Sequence, residues 1–223
     1  MRLLSLLLLA VMCEGFLPRL PHETSHSVRS KQLQVLNFLE ISLPGTTSEN
    51  RDDRVLELVN KARKLGPVGV LRPEEEQQKL FEEARAIAKY SDRKPARFPL
   101  KGFHELIYSA APGGSSGKIG PFSGKVRQEF VDDTIFINTV ELGPLKIALR
   151  AERKVLDDKR IRVTFRETTI YLFGNVVTSK ELENSGGVWN YIFSGEITDT
   201  NGNRKLVRVM ETPSLFIIEQ DLD

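Results

Sequence analysis

The motif most typical of catalysis is Gly-x-Ser-x-Gly at residues 113–117, the pattern that surrounds the nucleophilic serine of many acyl hydrolases. In those enzymes a helix follows the serine directly, and a histidine later in the chain accepts its proton. Here residues 119–121 read Ile-Gly-Pro, which continues a loop, and no histidine follows Ser115. The motif is therefore interpreted as a hairpin loop, and the chain is predicted not to be an enzyme.

The chain offers few side chains to a metal ion. Cys13 is its only cysteine, and His104 is its only histidine beyond the N-terminal region. Zinc and other soft metals need a larger set of such ligands. Pairs of aspartates at residues 132–133 and 157–158 stand at predicted turns, where Asp accepts local backbone hydrogen bonds. We therefore predict neither a metal site nor a cofactor.

The charge of the chain gives no reason to expect a nucleic-acid partner, because the formal net charge is only +2 over 223 residues. Several cationic side chains of the β-rich half fit a basic outer face, which would suit anionic lipid head groups. Acidic residues lie among them, so an ordinary solvated exterior is the favoured interpretation. The cations are Arg127, Lys146, Arg150, Arg153, Lys154, Arg160, Arg162 and Arg166.

The N-terminus has the features of a signal peptide. An apolar run at residues 3–12 follows a basic residue, and small residues at positions 13 and 15 precede Phe16. The run is too short to span a bilayer as a helix of the mature protein. We predict that residues 1–15 form a signal peptide, cleaved after Gly15.

A second targeting segment follows the first. Residues 16–31 are rich in Ser and in basic residues and nearly free of acids, as in transit peptides. Two segments in series resemble the bipartite leaders of algae with complex plastids, in which a Phe follows the signal cleavage site. Phe16 occupies that position, so a plastid destination is predicted. Secretion is the alternative, but it is disfavoured because the mature chain would contain no cysteine for a disulfide.

Residues 32–97 have a helical pattern in three segments. The first covers residues 32–41, the second begins after Ser48-Glu49-Asn50 and ends before Gly66-Pro67, and the third opens at Pro73. Their polar faces mix both signs of charge, which favours packing surfaces over membrane anchors. The apolar faces consist of Val55, Leu58, Val59, Ala62 and Leu65 in the second segment, and of Leu80, Phe81, Ala84, Ile87 and Ala88 in the third.

From residue 98 onward the chain consists of short β-rich runs separated by turn residues. The runs are residues 103–110, 122–131, 134–140, 145–154, 160–165, 168–173, 188–197, 204–210 and 214–220. Most of the intervening turns are too short to cross over a sheet, so consecutive strands should be antiparallel neighbours. The pattern predicts a mainly β fold, an up-and-down barrel of about eight or nine strands with N-terminal helices packed against it.

Alternation within the strands identifies candidate interior residues. One face of the run at residues 145–152 is apolar and includes Leu149, and the next run places Phe165 on its apolar face. Trp189, Tyr191 and Phe193 also occupy alternate positions, which predicts that all three rings face inward. These five residues are the predicted ligand-binding set, although a small barrel can also be filled solid by its own side chains.

A series of short segments resembles one protein family in order and spacing. Residues 102–109 are similar to its opening strand, usually Gly-x-Trp-x-Leu-x-Tyr-Ser/Thr, with His104 where the family prefers Trp. Further matches occur at residues 138–145, 155–157, 161–165, 172–174 and 206–209. Met210 departs from the pattern, because it stands where Arg is frequent.

On these segments the chain resembles the plastid lipid-associated proteins, also called plastid fibrillins. The resemblance implies a lipocalin-like barrel at residues 98–223, located in the chloroplast at plastoglobules or thylakoids. It also implies binding, sequestering or coating of apolar lipids, such as prenylquinones or carotenoids, without a cofactor. Two other functions stay open: a scaffold that docks a plastid lipid-biosynthetic enzyme, and a small barrel enzyme that uses a carboxylate.

Overall fold

A computed structural model describes residues 48–111, 116–212 and 214–222 of the chain. The predicted signal peptide and transit segment, with Gly15 and Phe16, lie outside the described residues. The same is true of the predicted helix at residues 32–41 and of Ser115. No helix in the described part of the chain has the length and apolar character needed to span a membrane.

In the described part of the chain, two α-helices precede the strands. They are α1 (Ser48–Leu65) and α2 (Glu74–Ala86); a short 3-10 helix lies between them at Gly69–Leu71, and two more follow at Ile87–Tyr90 and Pro95–Arg97. Helix α1 ends at Gly66, whose positive φ of 83° is a left-handed conformation that glycine adopts without steric cost. Helix α2 carries three glutamates in its first turn, where acids stabilise the positive end of the helix dipole.

Within the described ranges, ten strands follow the helices. They are β1 (Gly102–Ser109), β2 (Lys118–Ile119), β3 (Phe122–Ser123), β4 (Lys125–Phe130), β5 (Ile135–Leu142), β6 (Leu145–Val155), β7 (Arg160–Leu172), β8 (Asn175–Thr198), β9 (Arg204–Glu211) and β10 (Leu215–Asp221). Eight of these form a closed barrel in the order β1-β10-β9-β8-β7-β6-β5-β4, and every neighbouring pair is antiparallel. The predicted mainly β, up-and-down barrel is confirmed.

The boundaries of two predicted strands and one predicted turn differ from the structure. The runs at residues 160–165 and 168–173 form the single strand β7, with a bulge at Arg166. Gly186 and Gly187, which precede the predicted strand at residues 188–197, lie inside the long strand β8. A Cβ atom at Gly186 would lie 2.1 Å from the Val163 carbonyl oxygen, so this glycine permits close approach of β7 and β8 rather than a turn.

The barrel wall separates two apolar clusters. The interior cluster lies between the strands, and the helix-facing cluster lies between the outer face of the wall and helices α1 and α2. In β10, Phe216 and Ile218 belong to the interior, whereas Leu215 and Ile217 contact the helix-facing cluster. The prediction that the N-terminal helices pack against the barrel is therefore confirmed. The helices do not cover the end of β7, where Leu172 and the adjacent Phe173 are exposed.

Candidate ligand-binding interior and exposed apolar tip

Four of the five predicted interior residues lie in the interior cluster. Leu149, Phe165, Trp189 and Tyr191 are all buried there. Phe193 is not, because the β8–β9 register shifts between Tyr191 and Phe193. This bulge turns the Phe193 ring to the outer face, where it lies in the helix-facing cluster with its ring centroid 5.7 Å from the Arg51 guanidinium carbon. The prediction that all three rings face inward is therefore wrong at Phe193.

A row of five aromatic rings crosses the interior. Its successive centroid distances are 5.1 Å from His104 to Phe130, 5.2 Å to Phe136, 6.1 Å to Trp189 and 5.9 Å to Phe216. All five side chains are buried. Sequence reasoning placed only Trp189 inside, because Phe136 and Phe216 stand in runs that are apolar on both faces and so give no alternation signal.

A polar group is buried beside this row. The Arg208 side chain is almost completely buried, and its Nη2 donates a hydrogen bond of 2.7 Å to Gln128 Oε1. Gln128 Nε2 donates in turn to Asn138 Oδ1 at 2.9 Å. The guanidinium carbon lies 5.0 Å from the centroid of the Phe130 ring, a cation–π distance. Arg208 alternates with the interior residues Leu206 and Met210, a signal that sequence reasoning missed.

The ionisation of this group follows from its burial. Burial lowers the pKa of the Arg208 guanidinium, Tyr191 acts to raise this pKa, and the Arg153 charge acts to lower it. Burial also lowers the pKa of His104 to about 3; the Arg208 charge acts in the same direction, and the Lys101 backbone opposes both. His104 is therefore neutral at physiological pH, and neither of its ring nitrogens makes a hydrogen bond of normal geometry.

One end of the barrel, here called the plugged end, is covered by the segment that precedes β1. Ala96 and Leu100 belong to the interior cluster, and their backbone N–H groups donate to the turns that follow β6 and β4. The Arg153 guanidinium donates to the carbonyl oxygens of Ala96, Phe98 and Asp133. Arg153 therefore points inward and fastens the plug, and its prediction as part of a basic outer face is wrong.

The opposite end carries an exposed apolar tip, defined by Leu172, Phe173, Val176 and Val177 in the turn between β7 and β8. Phe173 is 76% exposed and Val176 is 61% exposed. Beneath the tip, Ile170 packs in a small buried cluster with Ile119, Val140 and Ile147, and Val126 contacts both this cluster and the interior cluster. Val126 therefore joins the small cluster around Ile170 to the interior cluster.

The outer cations lie on a mixed surface. Arg150, Lys154 and Arg162 are exposed on β6 and β7, whereas Arg160 pairs with Asp157 at 2.6 Å and Arg166 pairs with Glu152 at 2.6 Å. The residues of the described ranges contain no group of three or more His, Cys, Asp or Glu side chains able to hold a metal ion. The chain matches no protein-family model, no curated protein and no solved structure.

Proposed function

We propose that this protein is a plastid lipid-associated protein, which attaches to lipid surfaces through its apolar tip and holds an apolar lipid inside its barrel. The observation that carries the proposal is the exposed apolar tip at the end of the barrel opposite the plug. The barrel fold and the resemblance of residues 102–109 and the later segments to the plastid family support it. A prenylquinone or carotenoid at a plastoglobule or thylakoid is the ligand class that this resemblance implies.

The tip has the size and composition of a shallow lipid anchor. Contiguous exposed apolar side chains mark interaction surfaces, and transfer of a large apolar side chain from water contributes on the order of 1–2 kcal/mol. Lys146 lies behind the tip, with its Nζ 5.6 Å from the centroid of the Tyr171 ring. An amphipathic tyrosine beside a lysine suits the level of lipid head groups, while Phe173 and Val176 enter the acyl region.

The interior provides apolar surroundings for a bound lipid. The aromatic row and the aliphatic side chains around it pack against one another, so entry of a long, thin lipid requires the rings to move apart. Val126 contacts both the small cluster around Ile170 and the interior cluster, so it lies on the route that a lipid would follow from the tip to the row. Attachment at the tip would therefore bring the entrance of this route to the lipid surface.

A pair of tryptophan variants tests attachment in the full-length chain. Phe173→Trp places a reporter at the tip, and Val131→Trp places one at the plugged end, where Val131 is 55% exposed. Trp189 is buried and contributes the same background emission to both. With lipid droplets coated by brominated phosphatidylcholine, we expect strong quenching for Phe173→Trp and little additional quenching for Val131→Trp.

Equal quenching of the two variants would contradict a tip-first orientation. Absence of quenching in both, with droplets present in excess, would contradict lipid attachment by this end. The apolar tip would then fit better with the docking scaffold that the sequence also allows.

A further inference from the structure

The barrel interior holds two buried cations and no carboxylate. Among the described residues, the buried ionic side chains are Arg153, Arg208 and Glu219. Glu219 lies on the outer face of the wall, where it pairs with Arg63 of α1 and with Lys205 at 3.4 Å. The interior therefore carries uncompensated positive charge, and a buried charge is strongly unfavourable unless it is paired.

The two cations differ in how well they are satisfied. Arg153 donates to three carbonyl oxygens of the plug and the adjacent turn. Arg208 donates one hydrogen bond of normal geometry, to Gln128 Oε1, although a guanidinium carries five N–H donors. The Nε of both arginines has no hydrogen-bond partner. In the part of the chain that the structure describes, no acidic side chain pairs with Arg208.

Other unsatisfied polar atoms surround Arg208. Ser194 lies directly opposite it in the β8–β9 register, and the buried Ser194 hydroxyl has no hydrogen-bond partner. The Tyr191 hydroxyl and both His104 nitrogens likewise lack hydrogen bonds of normal geometry. Arg208 and His104 both border the Phe130 ring. A cation with unsatisfied polar neighbours at one end of an aromatic row is the arrangement expected around the head group of a bound amphiphile.

We propose that the interior binds a long-chain carboxylic acid, with its carboxylate on Arg208 and its chain beside the aromatic row. This inference rests on the proposed function that the interior holds a lipid, and it specifies a lipid with an anionic head in place of the uncharged prenylquinone or carotenoid that the resemblance implies. The planar guanidinium matches a carboxylate through two parallel hydrogen bonds, which are stronger than neutral ones. His104, Tyr191 and Ser194 offer further hydrogen bonds to the head group.

The position of Arg208 favours a carboxylate over the other anionic head groups of lipids. Phe130, which contacts Arg208, pairs with Gly102 at the start of β1, so the cation lies toward the plugged end. A phosphodiester carries a second substituent, which would also have to fit inside the packed interior cluster. A phosphate monoester carries about −1.5 to −2 at neutral pH, more than one guanidinium balances. A carboxylate is terminal, planar and singly charged.

The test compares oleate with oleyl alcohol, which share one acyl chain and differ in the head group. Each is titrated into the full-length protein below its aggregation concentration, with Trp189 emission and calorimetry as readouts. We expect one oleate per chain, bound at least about tenfold more tightly than the alcohol. Arg208→Met keeps the side-chain length without the charge and should bind both ligands equally, while Arg162→Met, on the exposed outer face, should keep the preference.

The possible results separate this inference from the proposed function. Equal affinity of the parent protein for the acid and the alcohol would overturn the carboxylate site and leave lipid binding in place. A preference for oleate that survives in a folded Arg208→Met variant would also overturn it. If the parent binds neither ligand, interior lipid binding itself is wrong. If Arg208→Met does not fold, Gln128→Leu, which removes the hydrogen bond that orients Arg208, should reduce the preference for oleate; an unchanged preference would count against the site.

Discussion

Tyr191 and Phe193 face opposite sides of the barrel wall, although only one residue separates them in β8. Tyr191 lies in the interior cluster and Phe193 lies beneath α1. The bulge between them reverses the alternation of β8 and allows one strand to supply both apolar clusters. A ring beneath the helix stabilises the attachment of α1, whereas a ring inside the barrel can contact a ligand.

Phe193→Ala should therefore reduce stability without changing the specificity of the interior. Removing a fully buried Phe costs about 3–5 kcal/mol, because the lost contacts leave a cavity. Urea unfolding followed by circular dichroism measures this loss, and the folded fraction should keep the parent Trp189 emission maximum. Phe173→Ala removes the same side chain at the exposed tip and should change stability by less than about 0.5 kcal/mol. Similar losses in the two variants would contradict the assigned position of Phe193.

Sequence alternation predicted the interior correctly where the two faces of a strand differ in polarity. Leu149 is the clear case, since β6 alternates apolar and polar residues over most of its length. The alternation fails at the bulges at Arg166 and Ile192, because one inserted residue exchanges the inward-facing and outward-facing positions along the rest of the strand. Neither Arg nor Ile is a residue type that marks a bulge. Arg153 and Arg208 were also beyond sequence reasoning, since a charged side chain normally faces water and only tertiary contacts show what pairs with it.

The targeting function predicted for the leader can be tested independently of the barrel. Residues 1–31 fused to a fluorescent protein should reach the plastid of an alga with complex plastids, and Phe16→Ala should arrest the fusion before the plastid stroma. The reason is that cleavage after Gly15 would expose Phe16 as the first residue read at the second membrane system. Leu17→Ala, one position further on, is the matched control and should be imported. Equal import of the Phe16 and Leu17 variants would remove the support for a bipartite leader.

His104 should make the fold sensitive to acid. Its pKa is lowered from 6.5 to about 3 in the folded protein, so below pH 6.5 the unfolded chain binds more protons than the folded one. The contribution of this residue to stability is therefore constant above pH 6.5 and declines as the pH falls toward 3. At pH 4.5 the loss should be on the order of 2–3 kcal/mol.

The matched variant for this effect is His104→Phe, which keeps a ring beside Phe130 and cannot be protonated. Urea unfolding at pH 7.5 and pH 4.5 should show a smaller difference in stability for the variant than for the parent. Carboxylates whose pKa is lowered by backbone hydrogen bonds, such as Asp132 and Asp157, add an acid-dependent loss common to both proteins. An identical pH dependence in the two proteins would show that His104 is not buried in the neutral form.

A charge on the inner wall should block the interior. Leu149 lies on the inner face of β6, and Ala148 beside it points to the outer face of the same strand. Leu149→Arg would add a third cation to an interior that already contains Arg153 and Arg208, and an apolar ligand would have to displace water from this unpaired charge at a high cost in free energy. In a titration with a plastoquinone analogue, the parent and Ala148→Arg should give a saturable change in Trp189 emission. Leu149→Arg, if circular dichroism shows it folded, should give no such change.

An emission spectrum that stays unchanged in the parent, while flotation with lipid droplets shows binding, would mean that the aromatic row stays closed and that the protein contacts lipid only at its surface.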